Sequence, residues 1–174
     1  MTNLFPPETI DSIDYDKRYM EKVIEFDWWK PKWDNYHTWF HNEAMPYLES
    51  LNPQGTMIFA GVYDGFDYAL IKDKFDLEVI GIDIVNYSPY DIIVADVREY
   101  LKTLNKEITY FWNGIGPWPW NRESKQACFD YAKKYLVSGG YYIDHVHTSK
   151  DAPKVMNDTD FKVLDDNFFI MRKI

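Results

Sequence analysis

The residues whose types and spacing best suit a chemical role are two glycines and an acid between positions 57 and 83. An apolar run, Met57–Ala60, leads into Gly61-Val62-Tyr63-Asp64-Gly65, and a second apolar run ends on Asp83. A glycine turn lets the backbone approach a ligand closely, because glycine has no side chain to collide with it. An acid about 20 residues later, at the end of the next strand, can accept hydrogen bonds from both hydroxyls of a ribose. This arrangement predicts a nucleoside-binding site.

The composition indicates the partners and the setting of such a site. The 174 residues suit one globular unit, and the formal charge of -9 makes a nucleic-acid partner unlikely, because phosphate backbones attract clustered Lys and Arg. The single cysteine, Cys128, permits no intramolecular disulfide, and no apolar run reaches the roughly 18 residues that span a bilayer. The N-terminus does not resemble a basic and apolar leader. We therefore expect a cytoplasmic protein with no membrane partner.

The segments after Asn52 alternate between apolar strands and helices, which predicts an α/β body. The predicted strands are Thr56–Ala60, Glu78–Asp83, Ile92–Ala95, Ile108–Trp112 and Tyr141–His145, and the predicted helices are Phe66–Lys74, Val97–Leu104 and Arg122–Leu136. Apolar strands without polar alternation indicate a sheet covered on both faces. The last two predicted strands, Phe161–Leu164 and Phe168–Arg172, form an antiparallel hairpin.

Residues 1–51 are predicted to form an arm and aromatic helices that belong to the same unit as the body, residues 52–174. The second of these helices spans Trp33–Leu51, and Pro46 is expected to kink or split it. The tryptophans of this segment are more numerous than a thin helical layer needs for its own burial. They predict either a lid over the carboxyl edge of the sheet or a subunit interface, where Trp and Tyr are enriched. The second alternative implies a homo-oligomer.

The ordered set of motifs resembles the class I S-adenosylmethionine-dependent methyltransferases, whose seven-stranded sheet ends in such a hairpin. The resemblance covers roughly residues 56–174. The matching segments are Ile58–Gly65, Asp83, Ala95–Leu101, Trp112–Gly114 and Leu136–Asp144. The resemblance implies a Rossmann-like, doubly wound and mostly parallel seven-stranded sheet with a C-terminal antiparallel hairpin. It also implies S-adenosyl-L-methionine as the cofactor.

The same resemblance implies which residues meet the cofactor. The glycine loop would pass beneath the methionine part, Asp83 would hold the ribose hydroxyls, and Asp96 with Val97 would meet the adenine. Asp96 also precedes a predicted helix, so an ordinary N-cap role is its alternative. The predicted cofactor-binding residues are Gly61, Tyr63, Asp64, Gly65, Asp83, Ile84, Asp96 and Val97.

A second group of polar residues follows the fourth and fifth predicted strands. The resemblance implies that Asn113 begins a loop beside the transferred methyl group, and the rigid run Pro117-Trp118-Pro119-Trp120 is interpreted as a wall of the acceptor pocket or as core packing. His145 is suited to remove a proton near neutral pH, and together with Asp144 it could ligate a divalent metal. The predicted catalytic residues are Asn113, Asp144 and His145, with no metal assigned; polar residues at a strand end are the alternative.

The sequence departs from the family pattern at three places, and these departures motivate a second hypothesis about function. Tyr63 stands at the usual middle glycine, Phe59 at the usual acid of strand one, and only eight residues link Asp83 to Ile92, so a loop is expected there instead of a helix. The first hypothesis is an S-adenosylmethionine-dependent methyltransferase acting on a small-molecule acceptor. The rival is a binding or structural protein that has the fold without catalytic activity. A nicotinamide-dependent oxidoreductase is disfavoured, because the turn has only two of the three fingerprint glycines.

Overall fold

One mixed sheet of seven strands organises the described part of the chain. A computed structural model describes residues 38, 40–63, 65–86, 88–115, 122–144, 158–165 and 170–174. The strands are β1 (Gly55–Ala60), β2 (Leu77–Asp83), β3 (Ile93–Val94), β4 (Ile108–Asn113), β5 (Leu136–Asp144), β6 (Phe161–Asp165) and β7 (Ile170–Lys173). The α-helices are α1 (Met45–Ser50), α2 (Phe66–Lys74), α3 (Val97–Thr103) and α4 (Arg122–Tyr135). Within the described residues, no helix has the length and apolar character that a membrane-spanning segment needs.

The strand order, β3-β2-β1-β4-β5-β7-β6, reverses direction between β1 and β4. The pairs β1–β2, β1–β4, β2–β3 and β4–β5 are parallel, whereas β7 is antiparallel to both β5 and β6. The predicted doubly wound sheet with a C-terminal antiparallel hairpin is therefore confirmed. In sheets of this kind, ligands bind in the crevice outside the carboxyl ends of the strands where the order reverses. The ends of β1 and β4 thus mark the place to look for a site.

The connection between β2 and β3 is a loop, as the sequence predicts. The described residues of this connection contain no helix, and Asp83 of β2 pairs with Val94 of the two-residue strand β3. The side chain of Asn86 braces the loop, because its Oδ1 accepts from the backbone N–H of Ser88 at 2.9 Å and its Nδ2 donates to the carbonyl of Tyr90 at 2.8 Å. Such side-chain bonds replace the backbone bonds that a helix would have made.

Hydrophobic layers cover the two faces of the sheet. Helices α3 and α4 pack on one face, where Cys128 is fully buried. On the other face, the Phe59 ring stacks on Trp112 with centroids 5.4 Å apart, and Phe40 meets Trp112 edge-on. Phe59 is therefore a core residue. Its aromatic side chain suits this packing, although the family that the chain resembles usually has an acid at this position of strand one.

Only part of residues 1–51 lies within the described structure. A π-helical turn, Phe40–Ala44, runs into α1, and Pro46 lies in the first turn of α1, so the helix changes type near the predicted interruption. Phe40, Met45 and Leu48 belong to the same buried cluster as the sheet residue Trp112. The tryptophans before residue 40 lie outside the described residues, and the lid and interface roles stay predictions.

Candidate functional site

The turn after β1 is held tightly against the loop that follows β4. Gly61 has a φ of +80°, and its N–H donates to the carbonyl of Ile82 at 2.9 Å. A Cβ at this position would lie 2.7 Å from the carbonyl carbon of Gly114 and 2.9 Å from the nitrogen of Ile115. Real Cβ atoms do not approach backbone atoms that closely. The conformation and the space at Gly61 both require glycine.

Asp83 links the end of β2 to this turn. Its Oδ2 accepts from the backbone N–H of Tyr63 at 2.8 Å, and its Oδ1 accepts from the backbone N–H of Ile84 at 2.7 Å. Burial raises the pKa of the Asp83 carboxyl, and hydrogen bonds from backbone N–H groups, that of Tyr63 foremost, oppose the rise. Backbone N–H groups of Val62 and Val85 also bond to this carboxylate, so Asp83 anchors the turn after β1 to the end of β2.

Tyr63 adopts a backbone conformation that glycine reaches more easily than other residues. Its φ of 54° is in the left-handed region, which costs a residue with a Cβ about 1–2 kcal/mol. The hydrogen bond from its N–H to Asp83 offsets this cost. Asp64, the next residue of the predicted site, lies outside the described residues.

Gly65 precedes α2 and is covered by the loop after β2. Its φ is 83°, and an added Cβ would lie 2.6 Å from Cβ of Ser88 and 2.7 Å from the ring of Tyr90. The side of Gly65 on which a side chain would project is therefore filled by protein atoms.

Asp96 is the N-cap of α3, which is the alternative role that the sequence predicts. Its Oδ1 accepts from the backbone N–H of Arg98 at 2.8 Å, and its Oδ2 lies 2.6 Å from Nη2 of the same arginine. Burial would raise the pKa of Asp96, but the side-chain and backbone hydrogen bonds from Arg98 outweigh it and lower the pKa. The Val97 side chain is buried in the core. The adenine contacts of Asp96 and Val97 stay predictions.

Neutralising Asp96 should cost stability in a pH-dependent way. Asp96→Asn keeps a cap acceptor but loses the charge, whereas Asp96→Ala also loses the cap, which contributes about 1 kcal/mol. Because the folded-state pKa of Asp96 is lowered, the charge stabilises the fold above the unfolded-state pKa of about 3.9, and this is lost as the pH falls through the folded-state value. Urea unfolding from pH 2 to 7 should show the wild type and Asp96→Asn converging in acid. A constant difference across that range would contradict the role of the charge.

Asn113 and Asp144, two of the predicted catalytic residues, lie together at the carboxyl ends of β4 and β5. They are register partners, and Nδ2 of Asn113 donates to Oδ2 of Asp144 at 3.2 Å and to the hydroxyl of Tyr142 at 2.8 Å. Asn113 is fully buried and Asp144 is 6% exposed. Both side chains therefore hold a buried network in this structure, and their direct roles in catalysis stay predictions. His145 and the aromatic run at residues 117–120 lie outside the described residues.

Sequence reasoning missed two members of this network, Lys125 and Tyr142. Nζ of Lys125 lies 3.1 Å from Oδ1 of Asp144 and 3.1 Å from the carbonyl oxygen of Ile115. Burial, and then the charge of Asp144, raises the pKa of the Tyr142 hydroxyl well above its usual value. A signal for Lys125 was present, because it begins the apolar stripe that continues at Cys128 on the same face of α4. A lysine on a buried stripe needs a partner.

Comparisons with known proteins bear on the fold. No protein-family model matches the chain, and no curated protein matches it. Among solved structures, a 1,6-didemethyltoxoflavin-N1-methyltransferase from Burkholderia thailandensis, with bound 1,6-didemethyltoxoflavin and S-adenosylhomocysteine, matches 97% of this chain and 92% of its own at 12% identity and a TM-score of 0.56. An rRNA methylase from Streptococcus thermophilus matches 70% of this chain and 87% of its own at 12% identity and a TM-score of 0.52.

A further solved structure is similar over only part of its length. TrmN from Thermus thermophilus matches 75% of this chain at 12% identity and a TM-score of 0.56, and this chain covers 48% of TrmN. At such identities the likeness concerns the backbone, and it agrees with the strand order and the terminal hairpin. The chain has the fold of the class I S-adenosylmethionine-dependent methyltransferases.

Proposed function

We propose that this chain is an S-adenosylmethionine-dependent methyltransferase that acts on a small-molecule acceptor. The observation that carries the proposal is the Asp83 carboxylate, which is hydrogen-bonded to the glycine turn where the strand order reverses. A ligand with a ribose fits an acceptor group at this edge of the sheet. The bound S-adenosylhomocysteine in the Burkholderia thailandensis enzyme of the same fold supports this choice of nucleoside.

The described residues fit the cofactor at its nucleoside end. Asp83 would accept from the ribose hydroxyls, the half-buried Ile84 would offer an apolar surface to the base, and the turn at Gly61 would lie under the remainder. S-adenosylmethionine supplies an electrophilic methyl group on a cationic sulfonium. The work of the protein is then to align the acceptor with that methyl group and to exclude water.

The acceptor is proposed to be a small molecule on grounds of charge. The solved structures of this fold include an rRNA methylase as well as a small-molecule enzyme, so the fold leaves the acceptor class open. A formal charge of -9 opposes a nucleic-acid backbone. His145 is proposed as the base for acceptors that must lose a proton, with Asn113 and Asp144 holding the strand ends beside it.

A binding or structural protein that keeps the fold but has lost the cofactor, and with it catalytic activity, is the second candidate. It is favoured by the loop after β2, because Ser88 and Tyr90 fill the space against Gly65. It is also favoured by Tyr63, whose side chain stands where the family has none. If the side chains of Tyr63, Ser88 and Tyr90 occupy the space for the cofactor, the protein keeps the fold without binding it.

Binding of S-adenosylhomocysteine separates the two candidates. We expect calorimetric binding and a raised melting temperature, since a ligand at 100 times its dissociation constant stabilises the folded state by about 2.7 kcal/mol. S-adenosylmethionine should act in the same way, and a nicotinamide dinucleotide is the control that shares the ribose. If neither S-adenosylmethionine nor S-adenosylhomocysteine at millimolar concentration gives a heat of binding or a thermal shift, the proposal of a methyltransferase is rejected. A shift with the dinucleotide alone would favour an oxidoreductase.

A further inference from the structure

Lys125 is the cation of the buried network at the carboxyl ends of β4 and β5. Its ammonium group lies 3.1 Å from the carboxylate of Asp144, and the two side chains are only 13% and 9% exposed. The same ammonium donates to the carbonyl of Ile115 at 3.1 Å. One side chain of α4 therefore joins the end of β5 to the loop that follows β4.

Stability alone is a poor reason for this arrangement. Burying two charges carries a desolvation cost that their attraction only partly repays, and apolar residues of similar size often serve stability equally well. The next positions on the same face of α4 are apolar, since Cys128 and Phe129, three and four residues further on, are buried in the core. The benefit of the ion pair is its defined geometry: it places a donor at the Ile115 carbonyl.

The segment that Lys125 holds is in direct contact with the candidate cofactor site. The N–H of Gly114 donates to the carbonyl of Ala60 at 2.7 Å, and the nitrogen of Ile115 lies 2.9 Å from the Cβ position of Gly61. A shift of this loop would therefore move the glycine turn. Sites of this kind depend on supporting contacts that hold the geometry within about 0.5 Å.

We infer that Lys125 is a positioning residue of the candidate site, which acts through Ile115 and Asp144 to hold the loop after β4 against the glycine turn. The expected effect on cofactor affinity rests on the proposed function. The expected effect on the mobility of the loop does not. The two effects can be measured separately.

Lys125→Met keeps the length of the side chain and removes its charge and donors. We expect the affinity for S-adenosylhomocysteine, measured by calorimetry, to fall at least tenfold. We also expect the amide of Gly114 to exchange hydrogen at least tenfold faster, with the amide of Phe75, which donates to the carbonyl of Ile71 in α2, as an internal reference. Lys133→Met is the matched control, because Lys133 is also an ion-paired lysine of α4 but lies near its other end, beside Asp158. It should change neither quantity.

A second variant separates positioning from stability. Lys125→Met removes the lysine partner of the buried Asp144 carboxylate, whereas Lys125→Met/Asp144→Asn removes both charges and should unfold at a urea concentration near that of the wild type. The low affinity and the fast Gly114 exchange should persist in this double variant. Recovery of both properties together with stability would overturn the inference, as would wild-type values in a folded Lys125→Met. A wild type that binds no S-adenosylhomocysteine would reject the proposed function, and Gly114 exchange would still decide the role of Lys125.

Discussion

Gly61→Ala is expected to be among the most destabilising single-methyl additions in the described structure. The new methyl group would meet the backbone of Gly114 and Ile115 at 2.7–2.9 Å, and backbone on both sides of the contact leaves no flexible group to move aside. The left-handed φ adds strain of about 1–2 kcal/mol, and overpacking adds about 1–3 kcal/mol. The loss should be visible as a lower free energy of unfolding in urea.

Gly139→Ala is the control for this substitution. Its φ of +84° matches that of Gly61, but the nearest group to an added Cβ is Nη2 of Arg172, at 3.2 Å, which is the end of a flexible side chain. Gly139→Ala should therefore show only the strain, about 1–2 kcal/mol. Equal losses in the two variants would mean that the loop after β4 is not pressed against the turn.

Local patterns in the sequence were sufficient to predict most of the sheet. The apolar runs that end on Ala60 and Asp83 needed no information beyond their own composition, because strands covered on both faces are apolar throughout. The helix Phe66–Lys74 was predicted with the bounds that the structure gives it. The loop between β2 and β3 was predictable from its length alone.

The polar part of the candidate site could not be derived in the same way. Asn113 and Asp144 were placed at neighbouring strand ends, but the bond of Asn113 to Tyr142 and that of Asp144 to Lys125 depend on tertiary packing between residues 29 and 19 positions apart. The brace from Asp83 to Tyr63 was also hidden, because the pattern of residues indicated a ligand for this carboxylate and gave no sign of its bonds to backbone N–H groups. Side-chain partners are set by the fold, whereas strand patterns are set locally.

Asp83 holds the glycine turn and is proposed to bind the ribose, and a substitution must separate these two roles. Asp83→Ala would release the turn and remove the ribose acceptor together, so a loss of binding would be ambiguous. Asp83→Asn keeps the size and one acceptor oxygen, but it places an NH2 group where a backbone N–H now donates. We expect a loss of stability of about 1–3 kcal/mol, the cost of an unsatisfied buried donor. The affinity for S-adenosylhomocysteine should fall more than tenfold, because one oxygen replaces two as acceptors for the ribose.

Asp158→Asn is the control that distinguishes a ligand-binding role of Asp83 from a purely structural one. Asp158 also accepts from a backbone N–H, that of Asp160 at 2.9 Å, and it pairs with Lys133 of α4. Its substitution should lower stability and leave the affinity unchanged.

The pH dependence of the affinity for S-adenosylhomocysteine gives a second criterion. Because burial raises the pKa of the Asp83 carboxyl, the wild type should begin to lose affinity on acidification at a pH above the ordinary aspartate pKa of about 3.9. Asp83→Asn should lack this component, and an unchanged affinity in that variant would remove Asp83 from the ribose site.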